Sequence, residues 1–264
     1  MTDWASGFPR TLWRHDGVQA GERGLAEESA VAIVHDASTT AVLMATPHAL
    51  EDLAVGFSLT EGIVDHVDQI REVEIAEAAI GFEARVWLTP DRSARLAARR
   101  RRMAGPTGCG LCGVESLAEA MRAPGVVRDT LNVTPSALLQ AMVLLSEAQP
   151  LGRETRAAHA AGFWTPDAGL AAAREDVGRH NALDKLAGAL TRAGEARAGV
   201  VLLTSRVSVE MVQKTAAIGA PILCAVSAPT ALAVRMAQAA GVTLVAVTRS
   251  DGFEVFTHPE RVLM

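Results

Sequence analysis

Two cysteines three positions apart are the clearest candidates for chemistry in this chain. Cys109 and Cys112 form a Cys-x-x-Cys motif surrounded by glycines, with a predicted helix starting near Val114. A helix N-terminus lowers the pKa of a nearby thiol, and so do neighbouring arginines such as those at 99–102. Glycine lets the sulfur of a second molecule approach the backbone closely. The pattern therefore favours a reactive thiolate.

Metal binding and dithiol redox chemistry are the alternatives for this motif. A structural zinc site takes four ligands; no second Cys-x-x-Cys is present, and the remaining Cys224 falls within a predicted apolar strand. The His-x-Glu and Pro-Cys-x-x-Cys signature of zinc deaminases is missing from the sequence. A thioredoxin-like pair follows a strand and opens its helix at the first cysteine. Thiol or sulfur chemistry is favoured, while metal-binding and structural roles stay open at this point.

A second group of reactive side chains lies at 174–185. A helix is predicted over 177–190, and Asp176, His180 and Asp184 are spaced four residues apart, which puts them on one helical face. Flanking carboxylates favour the charged form of an imidazole. This face either holds a ligand or shuttles a proton, or it consists of an N-capping Asp176 and solvated pairs. The pattern leaves both readings open.

The last hundred residues alternate apolar strands with helices. Strands are predicted at 199–203, 222–226 and 242–247, and the helices between them at 209–218 and 231–240. Such an alternation indicates a parallel sheet covered on both faces. Ligands of these sheets bind beyond the carboxyl ends of the strands.

The segments that follow these strands are small, hydroxylic or basic. Helix N-termini and arginines there attract anions, which predicts an anionic or nucleotide ligand, while ordinary N-capping is the alternative. The candidate binding residues are Ser205, Arg206, Val247, Thr248, Arg249, Ser250, Asp251 and Gly252. Neither a P-loop nor a G-x-G-x-x-G motif is present, so neither of those nucleotide sites is predicted.

The rest of the chain divides into three parts. Residues 1–28 are predicted to form an irregular arm, and 29–130 a smaller α+β region that carries the cysteine loop. In that region strands are predicted at 30–34, 40–45 and 81–88, and Thr46-Pro47 is predicted to open a helix. Residues 131–264 are predicted to form the α/β cofactor-binding domain, with a helix opened by Thr134-Pro135.

Composition excludes several classes of protein. With 264 residues, 49% of them apolar, the chain can bury a sizeable core and is not intrinsically disordered. A net charge of −5 argues against a nucleic-acid binder. Three cysteines do not make a disulfide framework. We see neither a signal peptide nor an apolar run long enough to span a bilayer, so we expect a soluble cytoplasmic protein with no membrane partner.

Several of these stretches resemble the FdhD family of formate dehydrogenase accessory sulfurtransferases. Two longer motifs carry the resemblance, Thr107-Gly-Cys-Gly-Leu-Cys-Gly-Val-Glu115 and Arg174-Glu-Asp-Val-Gly-Arg-His-Asn-Ala-Leu-Asp-Lys185. Shorter stretches that fit are Leu50-Glu-Asp-Leu-Ala-Val-Gly-Phe-Ser58, Ser205-Arg-Val-Ser208, Glu210-Met-Val-Gln-Lys214 and Ala225-Val-Ser-Ala-Pro-Thr230. The likeness runs from about residue 28 to the C-terminus.

The resemblance implies a function. Members of the family take sulfur as a persulfide from a cysteine desulfurase. They pass it to the metal of the molybdenum bis-guanine-dinucleotide cofactor, which is bound as a substrate and destined for formate dehydrogenase. By resemblance Cys109 carries the persulfide, Cys112 is its partner, and 247–252 binds the guanine dinucleotide. No tightly held metal of the protein's own is expected.

The resemblance also implies an architecture. The expected fold is a cytidine-deaminase-like α/β/α layering with the smaller α+β region beside it, and a homodimer is expected. Arg206 and Arg249 are expected to hold phosphates, and Asp176 and His180 to shape the cofactor pocket. A stretch that in many members reads Thr-Gly-x-Thr-His is here Thr155-Arg-Ala-Ala-His159, which puts the detail of that pocket in question. Two other functions stay open, a cofactor chaperone without sulfur transfer and a dithiol oxidoreductase.

Overall fold

The computed structural model describes residues 4–103, 125–128, 130–194 and 198–264. Cys109 and Cys112, the predicted reactive pair, lie outside these residues. Within them, no helix is both long and apolar enough to cross a bilayer.

The described residues form strands and helices that group into three sheets. The strands are β1 Ala5–Arg14, β2 Gly17–Ala26, β3 Ser29–His35, β4 Ser38–Ala45, β5 Ile70–Ala78, β6 Gly81–Leu88, β7 His159–Thr165, β8 Gly169–Asp176, β9 Val200–Leu203, β10 Ile222–Ala225, β11 Thr243–Arg249 and β12 Gly252–Val255. The helices are α1 Leu50–Thr60, α2 Pro90–Met103, α3 Pro135–Glu147, α4 Pro150–Thr155, α5 Arg179–Arg192, α6 Val209–Ile218 and α7 Ala231–Ala240. Short 3-10 turns span Val67–Gln69 and Pro259–Arg261.

The C-terminal half is built on a six-stranded sheet of order β12-β11-β10-β9-β7-β8. Strands β9, β10 and β11 are parallel, as predicted, whereas β7, β8 and β12 pair antiparallel, so the sheet is mixed. Side chains of α5, α6 and α7 pack on one face, and those of α3 pack on the other. The predicted α/β class and α/β/α layering are confirmed.

The N-terminal region has its own four-stranded sheet, of order β4-β3-β6-β5. The inward residues of β3 and β6, such as Ile33, Ala84 and Val86, are fully buried against Leu53 and Ala54 of α1. This is the predicted smaller α+β region. The predicted boundary at residue 130 stays a prediction.

The prediction of an irregular arm over 1–28 is wrong. Strands β1 and β2 pair antiparallel from Ala5↔Ala26 to Arg14↔Gly17 and form a regular hairpin. Most of its side chains are exposed on both faces. A strand without a buried face carries no apolar alternation, which is why the sequence pattern did not reveal it.

The helix predicted to open at Thr46-Pro47 begins later, at Leu50. Its N-cap is Ala49, with φ 51° in the left-handed region. Thr46 is 1% exposed, and its hydroxyl accepts a hydrogen bond from the amide of Val177 at 3.2 Å. The residue with the best capping chemistry is therefore used to join the two halves of the chain.

Helices α1 and α5 cross at two glycines. A Cβ added to Gly56 would overlap the carbonyl oxygen of Asp184, and one added to Gly188 would overlap that of Asp52. Each glycine thus meets the backbone of the other helix rather than a side chain that can rotate away. The two halves approach as closely as helix backbones allow because these positions lack side chains.

We predict that Gly188→Ala lowers the free energy of unfolding by about 1–3 kcal/mol, because overpacking forces the helices apart. The free energy of unfolding should still fall, although alanine favours the helix over glycine by about 1 kcal/mol. Urea denaturation measures it. Gly21→Ala, where the added Cβ meets nothing within 4 Å, should stay within about 0.5 kcal/mol of wild type. Unchanged stability in Gly188→Ala would contradict the close crossing.

Candidate functional site

Asp176 does not share a helical face with His180 and Asp184, contrary to the prediction. It is the last residue of β8, and α5 starts only at Arg179. One carboxylate oxygen accepts from the Gly178 amide at 2.8 Å and the Asn181 side chain at 3.0 Å. This carboxylate therefore stabilises the turn between β8 and α5 and is not part of the helix.

The other oxygen of Asp176 makes a buried ion pair with Lys185. The Nζ–Oδ2 distance is 2.6 Å, and both side chains are fully buried. Oδ2 also accepts from the amide of Thr46 at 3.1 Å, and Lys185 donates to the Thr46 carbonyl at 2.9 Å. Burial lowers the pKa of Lys185, and the charge of Asp176 opposes that shift. Both oxygens of Asp176 are therefore engaged by protein donors.

We expect Asp176→Ala to cost about 3–5 kcal/mol of unfolding free energy, since it leaves the Lys185 ammonium buried and unpaired. Chemical denaturation measures the loss, and Asp167→Ala, at an exposed position, is the control. Adding Lys185→Met to Asp176→Ala removes the orphaned charge and should recover part of the stability. A single variant as stable as the control would disprove the pairing.

Asp184 anchors a second buried group. It accepts from the Thr60 hydroxyl at 2.6 Å and from Lys214 Nζ at 2.8 Å, and Lys214 also contacts Glu61 at 2.7 Å. Burial disfavours the Lys214 ammonium, but Asp184 and Glu61 outweigh it and raise the pKa of Lys214. The end of α1 is thereby tied to α5 and α6.

Asp52 of α1 makes further ion pairs with the C-terminal half, beside the glycine crossing. Its two oxygens accept from Arg174 Nε at 2.8 Å and Arg192 Nη1 at 2.6 Å. Arg174 belongs to β8 and Arg192 to the last turn of α5. Most of the charged side chains at 174–185 therefore hold α1 against the C-terminal half.

His180 is neutral, contrary to the expectation that carboxylates would favour its charged form. Burial lowers the pKa of His180 to about 4, and the positive charges of Arg179 and Lys214 add to that effect. Glu210 and Glu61 oppose the shift without cancelling it. The expectation failed mainly because the imidazole is buried; in addition, the two carboxylates are paired with lysines, Asp176 with Lys185 and Asp184 with Lys214.

The shift of His180 predicts a pH dependence of stability. Its pKa is about 4 in the folded chain and 6.5 in the reference state, so the unfolded chain binds the proton first as pH falls. This contribution is complete above about pH 6.5 and is lost as pH falls towards 4, by about 2–3 kcal/mol. Between pH 7 and 4, the unfolding free energy of His180→Gln should fall by about 2–3 kcal/mol less than that of wild type, as measured by urea denaturation. His15→Gln on the exposed hairpin should follow wild type, and parallel curves for all three would contradict the assignment.

The three predicted strand ends meet at one edge of the sheet. Backbone hydrogen bonds join the loops after β9, β10 and β11: Val226 N to Leu203 O at 2.9 Å, Val207 N to Ala228 O at 3.3 Å, Thr230 N to Val207 O at 2.9 Å and Val247 N to Ser227 O at 3.4 Å. The candidate residues at 204–208 and 247–252 thus lie along one continuous edge. Thr230 caps α7 through the Ala233 amide, so capping, the alternative reading, holds for that residue.

The candidate side chains on this edge differ in exposure. Arg206, Arg249, Ser250 and Asp251 are exposed, Val247 and Gly252 are partly exposed, and Ser205 and Thr248 are buried. The Ser205 hydroxyl donates to the Arg206 carbonyl at 3.1 Å. The Nη1 atom of Arg249 donates to the carbonyls of Val226 and Thr248, at 2.6 and 2.8 Å. The Arg249 guanidinium is thereby held at the rim of the edge.

Val247 has φ 54°, in the left-handed region. A β-branched residue enters that region at a cost of about 1–3 kcal/mol. The register of β11 with β12 shifts between Ala246 and Arg249 at the same place. The resulting bulge redirects the chain at the start of the 247–252 segment, as bulges beside ligand sites often do.

Cys224 lies in the core, as expected for a mid-strand cysteine. It is fully buried, and burial raises the pKa of its thiol to about 11, opposed by a hydrogen bond with Thr248. Cys224 is therefore unsuited to act as a nucleophile. Among the described residues no group of three or more His, Cys, Asp or Glu side chains could hold a metal.

Several residues that build the site were missed in the sequence. Gly56 and Gly188 were not singled out, although an interior helical glycine is a signal of close approach. Arg179, in the first turn of α5, influences the pKa of both His159 and His180. Its place in the predicted helix gave no sign that it would lie close enough to influence both histidines.

The chain belongs to the FdhD/NarQ family, whose model matches residues 26–263. It is 52% identical over 260 residues to the sulfur carrier protein FdhD of Agrobacterium fabrum, covering 97% of this chain and 95% of that protein. It is 46% identical over 258 residues to the protein of the same name from Cupriavidus necator, covering 97% and 90%. The fold is similar to a crystal structure of a formate dehydrogenase accessory protein from Desulfotalea psychrophila, with TM-score 0.76, 27% identity, and 98% and 100% of the two chains covered.

Proposed function

We propose that this protein is a sulfur carrier that transfers persulfide sulfur from a cysteine desulfurase to the molybdenum bis-guanine-dinucleotide cofactor of formate dehydrogenase. The observation that carries the proposal is the Cys109-x-x-Cys112 motif in a chain that matches the FdhD/NarQ family over residues 26–263. Relatives that match almost the whole chain are named sulfur carriers. Cys224, the one cysteine among the described residues, is poorly placed to compete with Cys109, because its thiol is buried.

In the loading step, the Cys109 thiolate attacks the outer sulfur of the desulfurase persulfide. The S–S bond of the donor breaks, a new S–S bond forms on Cys109, and the donor cysteine leaves as a thiolate. One sulfur atom changes carrier without net oxidation. The step needs a nucleophilic thiolate on Cys109 only.

In the delivery step, the outer sulfur of the persulfide must reach the metal as sulfide, which consumes two electrons. The Cys112 thiolate supplies them by attacking the inner sulfur of Cys109. The persulfide bond breaks, sulfide passes to the metal of the cofactor, and a Cys109–Cys112 disulfide forms. A cellular thiol reductant then restores both thiols. The two cysteines therefore have unequal roles.

The edge formed by 204–208 and 247–252 suits the cofactor as a bound substrate. It lies beside the N-termini of α6 and α7, which attract phosphate, and it carries the exposed side chains of Arg206 and Arg249. The bulge at Val247 opens β11 at this place. We assign the guanine dinucleotide to this edge, with Arg206 and Arg249 as phosphate contacts and Asp176 behind it in a positioning role.

The proposal includes partners and a compartment. A cysteine desulfurase is the donor and formate dehydrogenase the client. The chain works as a homodimer in the cytoplasm, where thiols are kept reduced and Cys109 can reload.

Intact-protein mass spectrometry tests the sulfur-carrier proposal. After incubation with a cysteine desulfurase and free cysteine, wild type and Cys112→Ala should gain one reducible sulfur atom, and Cys109→Ala should gain none. Cys224→Ser is the matched control and should load like wild type, because its thiol is buried and has a raised pKa.

Other outcomes would point to the alternatives. No added sulfur on any form, with a competent desulfurase, would disprove the carrier and favour a cofactor chaperone; formate dehydrogenase activity would then survive Cys109→Ala. Equal loss of function with Cys109→Ala and Cys112→Ala, without a persulfide, would favour a dithiol oxidoreductase.

A further inference from the structure

Arg179 and His180, both in the first turn of α5, belong to none of the ion pairs and hydrogen bonds described above that hold α1. Asn181 of the same turn donates to the Met44 carbonyl at 2.8 Å, and Asp184 and Lys185 contact Thr60 and Thr46. Arg179 lies one turn before Leu183, which packs on the sheet, so Arg179 lies on the sheet-facing side of α5.

Arg179 lies near side chains of two other elements, β7 and α6. It influences the pKa of His159, His180 and Glu210. His159 opens β7, and the Ala160 amide beside it donates to the Thr204 hydroxyl just after β9, at 2.9 Å. Glu210 is in the first turn of α6. This group, the Arg179 nook, therefore lies at the same sheet edge as the 204–208 segment.

One buried donor of the Arg179 nook lacks an acceptor. The Nε atom of Arg179 is buried and has no hydrogen-bond partner in the described part of the chain. The hydroxyl of Ser208, the N-cap of α6, makes no hydrogen bond to a backbone amide in the first turn of that helix, whereas the hydroxyl of Thr230 caps α7 on the same edge. Buried donors in folded proteins normally have an acceptor, so a ligand that offers several acceptor oxygens would complete the nook.

We propose that the first turn of α5 binds a phosphate group of the nucleotide substrate, with Arg179 as its bidentate ligand. The inference rests on the proposed function and adds a second anchoring point to it. A guanidinium matches phosphate geometry with two parallel N–H bonds. Burial lowers the pKa of both His159 and His180, so the imidazoles are neutral at pH 7 and Arg179 carries the positive charge.

The spacing of the strands fits an extended ligand. Three strand steps separate β7 from β11 in the sheet order, which amounts to roughly 15 Å at about 4.8 Å per step. The Arg179 nook and the 247–252 segment can therefore hold different parts of one long molecule. A dinucleotide has that extended form, whereas a free phosphate would fill only one of the two places.

Glu210 sets the charge balance of the nook. It is exposed and flanks Arg179 and His180. Lys214 does not offset it, because Lys214 is already paired with Asp184 and Glu61. A carboxylate beside a bound phosphate opposes binding, so its removal should strengthen the binding of an anion.

Isothermal titration calorimetry with GDP and with guanosine tests the inference on the full chain. Arg179→Gln should raise the Kd for GDP roughly 10- to 100-fold, the loss expected for a hydrogen bond to a charged group, and leave the Kd for guanosine unchanged. The Kd of Arg179→Lys for GDP should lie between those of wild type and Arg179→Gln, since lysine keeps the positive charge but cannot donate two parallel N–H bonds. Glu210→Gln should lower the Kd for GDP several-fold. Arg71→Gln, exposed on β5 of the other sheet, should match wild type.

The possible failures are distinguishable. If wild type binds GDP and Arg179→Gln binds it equally well, the Arg179 contact is disproved while the proposed function stands. If Arg179→Gln weakens GDP and guanosine alike, Arg179 supports the fold of the site and the phosphate assignment is wrong. If wild type binds no GDP, the cofactor half of the proposed function fails too, whereas sulfur loading of Cys109 tests the other half separately.

Discussion

The ion pair between Asp176 and Lys185 is the contact on which the arrangement of the two halves depends. Both side chains are fully buried. They lie where β8 ends and α5 begins, next to the segment that precedes α1. Asp176 bonds to the backbone of that segment at Thr46 and to the turn at Gly178. One carboxylate therefore fixes the turn, the start of α5 and the position of the N-terminal region. The Gly56–Gly188 crossing then lets the two helix backbones meet.

Buried ion pairs contribute little net stability, because desolvation offsets most of the attraction between the charges. Their effect is better described as a restriction on alternatives. If α1 slid along α5 by one turn, the buried carboxylate of Asp52 would lose Arg174 and Arg192, at a cost of several kcal/mol, and Lys214 would lose Glu61. The apolar contacts of α1 would tolerate such a slip more easily, since apolar surface is not directional. The polar pairs thus select one register, and the apolar surface supplies the driving force.

The sequence predicted the periodic parts of the molecule well and the junctions poorly. The alternating strand 81–88 and the helices at 209–218 and 231–240 have the predicted bounds, because one buried face imposes a period on the residues. The hairpin at 5–26 has no buried face and left no such signal. Asp176 was placed on a helix and Thr46 at a helix N-cap because both residue types suit those roles locally. Their actual partners lie about 130 positions away, which no local pattern reveals.

The candidate site illustrates the same limit. Helical spacing grouped Asp176, His180 and Asp184, but the structure separates them by partner: Asp176 with Lys185, Asp184 with Lys214, and His180 beside Arg179. The ends of β9 and β11 share one edge, as predicted, since the carboxyl ends of parallel strands must do so, although β11 runs to Arg249, two residues beyond its predicted end. The Arg179 nook was missed because the sequence cannot show which donors are left without acceptors.

A net charge of −5 does not conflict with an anionic ligand at this edge. At physiological ionic strength exposed charges are screened beyond about 8 Å, so the acidic groups of the outer surface act weakly on a ligand at the strand ends. Within the edge, partial charges on first-turn amides and the buried Nε of Arg179 act over hydrogen-bond distance and are poorly screened. Such a site selects anions through a few fixed donors rather than through a general positive field. That property suits the role proposed for this edge, which is to hold one nucleotide-bearing substrate.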